Sequence, residues 1–227
     1  TLNLKKKIDI HTNFFSKAYS DKMKKRYDSF DLITANNVFA HSPHLFDFSQ
    51  GVKNLLSSKG VFVLEVSYLG TVLKKKTFDT IYHEHMSYHG LKPLVQFFKN
   101  QNLQIFDFEL IEAQGGSIRI FVSHKNSFKV EKNKIYNKIK NEIAEGLYSK
   151  KRYKKFFKEI IDTKEKLKKI IRKLKKKNLD IVGYGAPAKL TTLTHVFNLT
   201  RNDFKIVIDD NSLKVNKFTP GKNFLIK

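Results

Sequence analysis

Several residue types and patterns are absent from this sequence. It contains no cysteine and no tryptophan, and only 4 prolines among 227 residues. Without cysteine the chain can form neither disulfides nor thiolate metal sites, which fits a reducing compartment. It also has no apolar run approaching about 20 residues and no signal-peptide pattern. We therefore expect a soluble, cytoplasmic chain that does not span a membrane.

Acidic residues are also scarce, with 21 Asp and Glu against 44 Lys and Arg and a formal net charge of +23. A charge of this size would suggest nucleic-acid binding if it were gathered into one patch. The lysines are instead scattered in short runs, such as Lys5–Lys7 and Lys74–Lys76. This spread indicates a general surface bias and does not favour a nucleic-acid partner, although an anionic small substrate would benefit from the positive field.

Apolar residues make up 41% of the chain, which is enough for one large or two modest domains. Residues 31–37 read as a buried strand, residues 45–57 as a helix that stops at Gly60, and residues 61–66 as a second buried strand. A strand, helix and strand of this length predict a parallel crossover. The loops after both strands then share one edge of the sheet, where open α/β sheets bind ligands.

The segments on either side of this unit are less regular. Ile8 and Ile10 suggest a short strand, followed by a polar helix that leads to Tyr27. Downstream, residues 91–100 have helical spacing, and strands at 103–112 and 118–124 flank a double glycine that predicts a hairpin. A sheet that ends in a helix and a hairpin is typical of class I methyltransferases, whose last strand runs antiparallel.

Residues 126–178 have a different composition. Between positions 150 and 177 there are 15 Lys or Arg against 3 acids, while apolar residues recur every three or four positions. This pattern predicts a long amphipathic helix with a basic outer face. We interpret it as a linker between domains, with a membrane-surface or nucleic-acid helix as the alternatives.

The last part of the chain begins a new unit. A strand at 179–182, a glycine turn at 183–185, a helix at 190–197 and a strand at 204–208 that ends in acids outline a phosphate-binding βαβ motif. Ala188 stands where a dinucleotide fingerprint has its third glycine, and the sequence ends before the further strands of a complete domain. A nicotinamide dehydrogenase is therefore not favoured.

Residues 78–89 are the most informative stretch, with two tyrosines, three histidines and Glu84 in twelve positions. Polar aromatic groups at this density line a cleft or move protons. In an extended segment Tyr82 and Glu84 share one face and His83 and His85 the other, so a bend would be needed to bring them together. We expect surface positions for four other histidines, His11, His44, His89 and His124.

We predict no metal site in this stretch. Ser87 stands where the second histidine of a His-Glu-x-x-His zinc helix would be. The acid and histidine side chains are therefore better explained by proton chemistry than by metal binding.

The chain resembles the sugar C-methyltransferases of deoxysugar biosynthesis, which use S-adenosylmethionine to methylate C3 of a nucleotide-linked 4-keto sugar. The most specific matching segment is residues 78–85 (FDTIYHEH). The others are residues 31–41 (DLITANNVFAH), 60–66 (GVFVLEV), 115–117 (GGS), 183–189 (GYGAPAK) and 219–221 (TPG).

The resemblance implies a role for each candidate residue. His85 is the implied base, Tyr82 and Glu84 position it or the sugar, and His41 belongs to the same site. The implied cofactor-binding residues are Asn36, Asn37 and Val38. Gly185 and Lys189 are implied to meet the diphosphate of a nucleotide-linked keto sugar, with dTDP as the nucleotide.

The resemblance also implies the architecture. Residues 1–125 would form the carboxyl-terminal part of a class I methyltransferase Rossmann-like sheet, residues 126–178 the helical linker, and residues 179–227 the start of a second Rossmann-like domain. The family's cysteine-ligated zinc module and glycine-rich adenosylmethionine loop have no counterpart here, and Leu190 replaces a family glycine. We therefore expect an amino-terminally truncated chain, with zinc only in the missing module.

Two other functions remain open. A chain without the cofactor loop could be a non-catalytic relic that still binds a sugar nucleotide. The second alternative is an RNA methyltransferase or RNA-binding protein. The Asn/Asp-Pro-Pro-aromatic loop of such enzymes is absent, however, and residues 36–39 (NNVF) keep only its outline.

Overall fold

The computed structural model describes residues 8–227, so the lysine run at 5–7 and the start of the predicted first domain lie outside the described part. The described residues form seven helices: α1 (Lys17–Tyr27), α2 (Leu45–Leu55), α3 (Leu69–Lys75), α4 (Leu91–Lys99), α5 (Lys132–Ala144), α6 (Lys150–Lys176) and α7 (Lys189–Val196). The seven strands are β1 (Phe30–Asn36), β2 (Leu56–Ser67), β3 (Leu103–Ile111), β4 (Ser117–His124), β5 (Gly183–Tyr184), β6 (Ile206–Ile208) and β7 (Leu225–Ile226).

The larger sheet has the strand order β1-β2-β4-β3. Strands β1 and β2 are parallel, whereas β4 runs antiparallel to both of its neighbours. The predicted parallel crossover and the predicted hairpin are therefore confirmed. The chain is a mixed α/β protein, and the ends of β1 and β2 meet at one edge of the sheet.

Strand β1 is less buried than predicted. Only Ala35 of this strand is buried, and the Leu32 side chain is 61% exposed. The reason is its position, because β1 is the edge strand and pairs with β2 alone among the described residues. Its apolar sequence suggested a strand covered on both sides, which needs a neighbour that this sheet does not provide.

The boundary between α2 and β2 also differs from the prediction. Helix α2 ends at Leu55 and β2 begins at once at Leu56, so Gly60 lies inside the strand and not in a stop between helix and strand. A Cβ at Gly60 would lie 2.9 Å from the Phe30 carbonyl oxygen, closer than Cβ atoms normally come. Gly60 therefore permits a close approach of two backbones, next to a shift in the pairing of β1 with β2.

The segment before β1 is a helix, as predicted, but Ile8 and Ile10 are exposed and belong to no strand. Helix α1 begins after Ser16, whose side-chain oxygen accepts a hydrogen bond from the Tyr19 amide at 3.0 Å. A serine in this position satisfies one of the free amides of the first turn. The helix then leads to Tyr27, where the chain enters β1.

Helix α6 confirms the predicted amphipathic helix and is 27 residues long. It buries Phe156, Ile160 and Ile171 in a second apolar core, separate from the one beneath the large sheet. This core also contains Leu73 and Phe78, which come from the first part of the chain. No helix in the described range 8–227 is long and apolar enough to cross a membrane.

The small sheet has the order β5-β6-β7, and all three strands are parallel. Its first strand begins at Gly183, later than the predicted strand at 179–182, and β7 was not predicted. Strand β7 is only two residues long, too short to show a sequence period. Backbone bonds fix it beside β6, with the Lys227 amide donating to the Val207 carbonyl at 2.8 Å.

Candidate active site

A tight turn shapes the histidine-rich segment. The His85 amide donates to the Tyr82 carbonyl at 3.0 Å, so residues 82–85 turn back on themselves. The turn brings the rings of Tyr82 and His85 to a centroid distance of 4.5 Å. His83 and Glu84, at the tip of the turn, are exposed. This is the bend that the sequence required but could not locate.

The His85 imidazole is held in one orientation. Its Nδ1 lies 2.7 Å from the Thr80 carbonyl oxygen, which can only accept, so Nδ1 carries the proton. Its Nε2 lies 3.5 Å from the Tyr82 hydroxyl. Burial lowers the pKa of His85, the bond to Thr80 opposes this shift, and the charges of His41 and Lys189 lower the pKa further. A neutral ring whose Nε2 carries no proton can accept one from a bound molecule that replaces the long contact with Tyr82.

His85 lines a polar cavity of about 190 Å³, together with Asn37, His41, Ser67, Thr80, Tyr82, Gln114 and Lys189. Asn37 follows the last residue of β1 and Ser67 is the last residue of β2, so the cavity lies at the edge where these parallel strands end. The His41 ring approaches His85 edge-on, with centroids 5.0 Å apart.

A second, mostly apolar cavity of about 490 Å³ adjoins the first. His41 lines both cavities, and Val38 lines the second with Phe14, Phe15 and Phe48 among others. Of the three residues implied to bind the cofactor, Asn37 thus borders the polar cavity and Val38 the apolar one. Asn36 is exposed and lines neither.

Glu84 lies outside the cavity lining but acts on a residue within it. Burial raises the pKa of Tyr82, and the negative charge of Glu84 raises it further. Tyr82 therefore keeps its proton and can donate it in a hydrogen bond. Glu84 can influence the cavity through this tyrosine.

The two residues implied to bind diphosphate lie in different places. Lys189, the first residue of α7, lines the cavity of His85. Gly185 does not line it; this glycine has φ +87° and donates its amide to the Ile208 carbonyl at 2.7 Å. The next amide, of Ala186, donates to the Asp209 carboxylate at 2.7 Å. The turn thus uses two of its own amides internally, and the acid after β6 is occupied as well.

Three lining residues escaped the sequence analysis: Ser67, Thr80 and Gln114. Ser67 could have been found, because it ends a strand at the predicted ligand edge. Gln114 lies in the hairpin tip with a left-handed φ of +54°, a conformation that no feature of the sequence predicts. Thr80 contributes its backbone carbonyl, so its side chain gave no indication.

The prediction that His89 lies at the surface is wrong. His89 is only 7% exposed and its Nε2 lies 2.9 Å from the Ser87 hydroxyl. Burial lowers its pKa to about 4. His11 and His124 are partly buried, and His44 is exposed as expected. Within residues 8–227, no group of three or more His, Asp or Glu side chains is placed to hold a metal ion.

Comparison with known proteins gives the family. Residues 112–227 match the family described as the C-methyltransferase C-terminal domain. This match covers half of the chain, and the chain belongs to that family.

One relative is the C-methyltransferase NovU of Streptomyces niveus. It is 27% identical over 212 residues, which cover 93% of this chain and 50% of NovU. The chain therefore spans about half the length of this curated relative.

Proposed function

We propose that this chain serves S-adenosylmethionine-dependent C-methylation next to the ketone of a nucleotide-linked deoxysugar. Membership of the C-methyltransferase family supports the reaction class. The observation that carries the mechanism is the orientation of His85, whose Nδ1 donates to the Thr80 carbonyl, so that the unprotonated Nε2 faces the cavity beside the Tyr82 hydroxyl.

The topology supports the same proposal. An antiparallel strand, β4, lies between β2 and β3, which is the ending expected of a class I methyltransferase sheet. On this proposal residues 1–125 form the carboxyl-terminal part of such a sheet. Residues 126–178 link it to residues 179–227, which begin a second Rossmann-like domain.

The proposed reaction begins at the carbon next to the ketone. His85 Nε2 accepts the proton of that carbon, and the electrons of the C–H bond form an enolate. His41 and Tyr82 line the same cavity and can hold sugar hydroxyls, since both side chains form hydrogen bonds. Lowering the pKa of His85 keeps the ring neutral and ready to accept a proton at neutral pH.

The residues after β1 fit one side of the cofactor. The apolar cavity beside Val38 and His41 has phenylalanine walls that suit an adenine ring, and Asn37 borders the neighbouring polar cavity. When bound, S-adenosylmethionine would supply an electrophilic methyl group on its sulfonium. The chain's own part is to hold the carbon acid close to that methyl group and in line with it.

The charge of the chain suits an anionic substrate such as a dTDP-sugar. We propose that the turn at Gly185 lies near the diphosphate, with Lys189 facing the sugar end. A relic that only binds the sugar nucleotide is the second candidate, favoured by a chain that spans half of NovU. The third candidate is an RNA-binding function, because the lysine-rich face of α6 could contact RNA phosphates.

Proton exchange tests the base without the cofactor. The chain is incubated with dTDP-4-keto-6-deoxyglucose in D₂O, and deuterium incorporation next to the ketone is followed by NMR. We expect exchange above the spontaneous rate, and His85→Asn should lower it by about 100-fold or more, the usual effect of a general base. His83→Asn is the matched control, because His83 is an exposed neighbour of the same residue type.

Near-normal exchange by His85→Asn would remove His85 from the base role. Binding of the dTDP-sugar by calorimetry without any exchange would favour the relic. Binding of RNA, and of neither small ligand, would favour the third candidate.

A further inference from the structure

Among the residues that the structure describes, Lys189 is the one lysine or arginine that lines the His85 cavity. Its side chain is partly buried, and among residues 8–227 it forms neither a salt bridge nor a hydrogen bond with another protein group. A partly desolvated ammonium is costly to leave without a partner. The cavity is therefore lined by a lysine side chain that the described residues leave without a partner.

The placement of Lys189 follows from how α7 packs. The Phe78 and Phe197 rings lie 5.1 Å apart, one at the start of the histidine-rich segment and the other just after α7. The Thr192 hydroxyl of α7 donates to the Ile81 carbonyl at 2.9 Å. These two contacts fix the first turn of α7, and so Lys189, against the segment that carries His85.

We propose that Lys189 is a catalytic residue of the reaction assigned above, whose ammonium donates a hydrogen bond to the ketone oxygen of the sugar as that oxygen becomes an enolate. The inference rests on the proposed function and deepens it. It differs from the role implied by the resemblance, in which Lys189 meets the diphosphate.

The chemistry requires such a group in this cavity. When His85 takes the proton, the C–H electron pair becomes a C=C bond and the carbonyl π pair moves to the oxygen. That oxygen lies two bonds from the carbon that loses its proton, so a group that stabilises it must share the cavity of the base. A fixed donor aimed at developing negative charge is one of the largest contributions to catalysis.

The neighbours of His85 leave this role to Lys189. The titratable groups that face His85 are His41 from the turn after β1, Tyr82, Glu84 and Tyr88 from its own segment, and Lys189 from α7. Glu84 is an acid outside the cavity lining, and the tyrosines keep their protons because burial raises the pKa of both hydroxyls. Lys189 is thus the amine donor that the fold brings to this cavity.

The exchange assay above separates this role from diphosphate binding. We expect Lys189→Met to lower kcat for exchange by about 100-fold, the usual effect of losing one oxyanion donor, with KM changed less than about 3-fold. Lys189→Arg should recover part of the rate. Lys205→Met is the control, because Lys205 is an exposed lysine of the same unit that lines neither the His85 cavity nor the apolar one.

A second readout is the pKa of His85, followed by NMR, with the signal identified by its loss in His85→Asn. Removing the positive charge of Lys189 should raise this pKa, so the acid limb of the exchange profile should move to higher pH in Lys189→Met. A purely structural role would not shift the limb in this direction while leaving KM unchanged.

The outcomes are distinguishable. A tenfold rise in KM with unchanged kcat would assign Lys189 to the diphosphate and overturn the inference while leaving the proposed function intact. Full activity of Lys189→Met would do the same. No exchange by the unmodified chain would overturn the proposed function, and the inference with it.

Discussion

A buried carboxylate, Glu142 of α5, ties together several elements around the site. The side chain is fully buried and each oxygen accepts two hydrogen bonds. Oε1 accepts from the Tyr68 hydroxyl at 2.9 Å and from the Leu91 amide at 2.7 Å. Oε2 accepts from the Lys92 amide at 3.1 Å and from the Tyr148 hydroxyl. Glu142 thereby caps the start of α4, directly after the histidine-rich segment.

The cost of removing this carboxylate depends on which donors can reach water. Tyr68 and Leu91 are buried, so Glu142→Ala leaves both without an acceptor, at about 1–3 kcal/mol each. Lys92 and Tyr148 are partly exposed and can turn to water. We expect Glu142→Ala to lower the free energy of unfolding by about 4 kcal/mol. In Glu142→Gln the amide oxygen can replace Oε1, so the expected loss is only about 1 kcal/mol.

Urea unfolding followed by far-UV circular dichroism measures these differences, since the chain has no tryptophan to report by fluorescence. Glu145→Gln is the control, because Glu145 is exposed just after α5 and should change stability by less than about 0.5 kcal/mol. The reasoning is refuted if Glu142→Ala costs less than about 1 kcal/mol, or if Glu142→Gln costs as much as Glu142→Ala.

Two further predictions concern the same region. Burial lowers the pKa of His89 to about 4. Between about pH 4 and pH 6.5, His89 therefore binds a proton in the unfolded chain but not in the folded chain. Stability should be complete above pH 6.5 and fall by about 3 kcal/mol towards pH 4, and urea midpoints of His89→Gln should lack this component. A Cβ at Gly116, where φ is +127°, would lie 2.4 Å from Thr71. Gly116→Ala should cost roughly 2 kcal/mol in urea unfolding and slow exchange by displacing Gln114; unchanged values would contradict this.

Local sequence patterns were enough to predict much of the fold. The spacing of apolar residues was enough to find α2, α4 and α6, and the crossover rule gave the parallel pair β1 and β2. The double glycine located the β3–β4 hairpin. Each of these features depends on a period or a turn within a few tens of residues, which a single sequence displays.

Long-range features could not be read in the same way. The apolar residues of β1 predicted a covered strand, but burial depends on a neighbouring strand, and β1 lies at the edge. Glu142 looks like an ordinary surface acid of a charged helix, and only the fold brings four donors to it. His89 is buried for the same kind of reason, since its ring lies against Phe39.

The candidate site depends on both local sequence patterns and long-range contacts. The composition of residues 78–89 singled out this segment and the resemblance implied His85 as the base, yet the turn that pairs it with Tyr82 depends on one backbone bond without a sequence signature. The resemblance implied that Lys189 meets a diphosphate. Its presence beside His85, about 100 positions away in the chain, follows from the packing of α7 and is a tertiary property.

The histidine-rich segment is held at its two ends by different parts of the chain. At its start Phe78 packs on Phe197 and belongs to the core that α6 and β6 complete. At its end the His89 carbonyl accepts from the Leu69 amide at 2.9 Å, and Glu142 caps the helix that follows. A chain cut after residue 125 would keep His85 but lose Glu142, Phe197 and Lys189. The position of the proposed base therefore depends on contacts from residues after 125 as well as on the sheet.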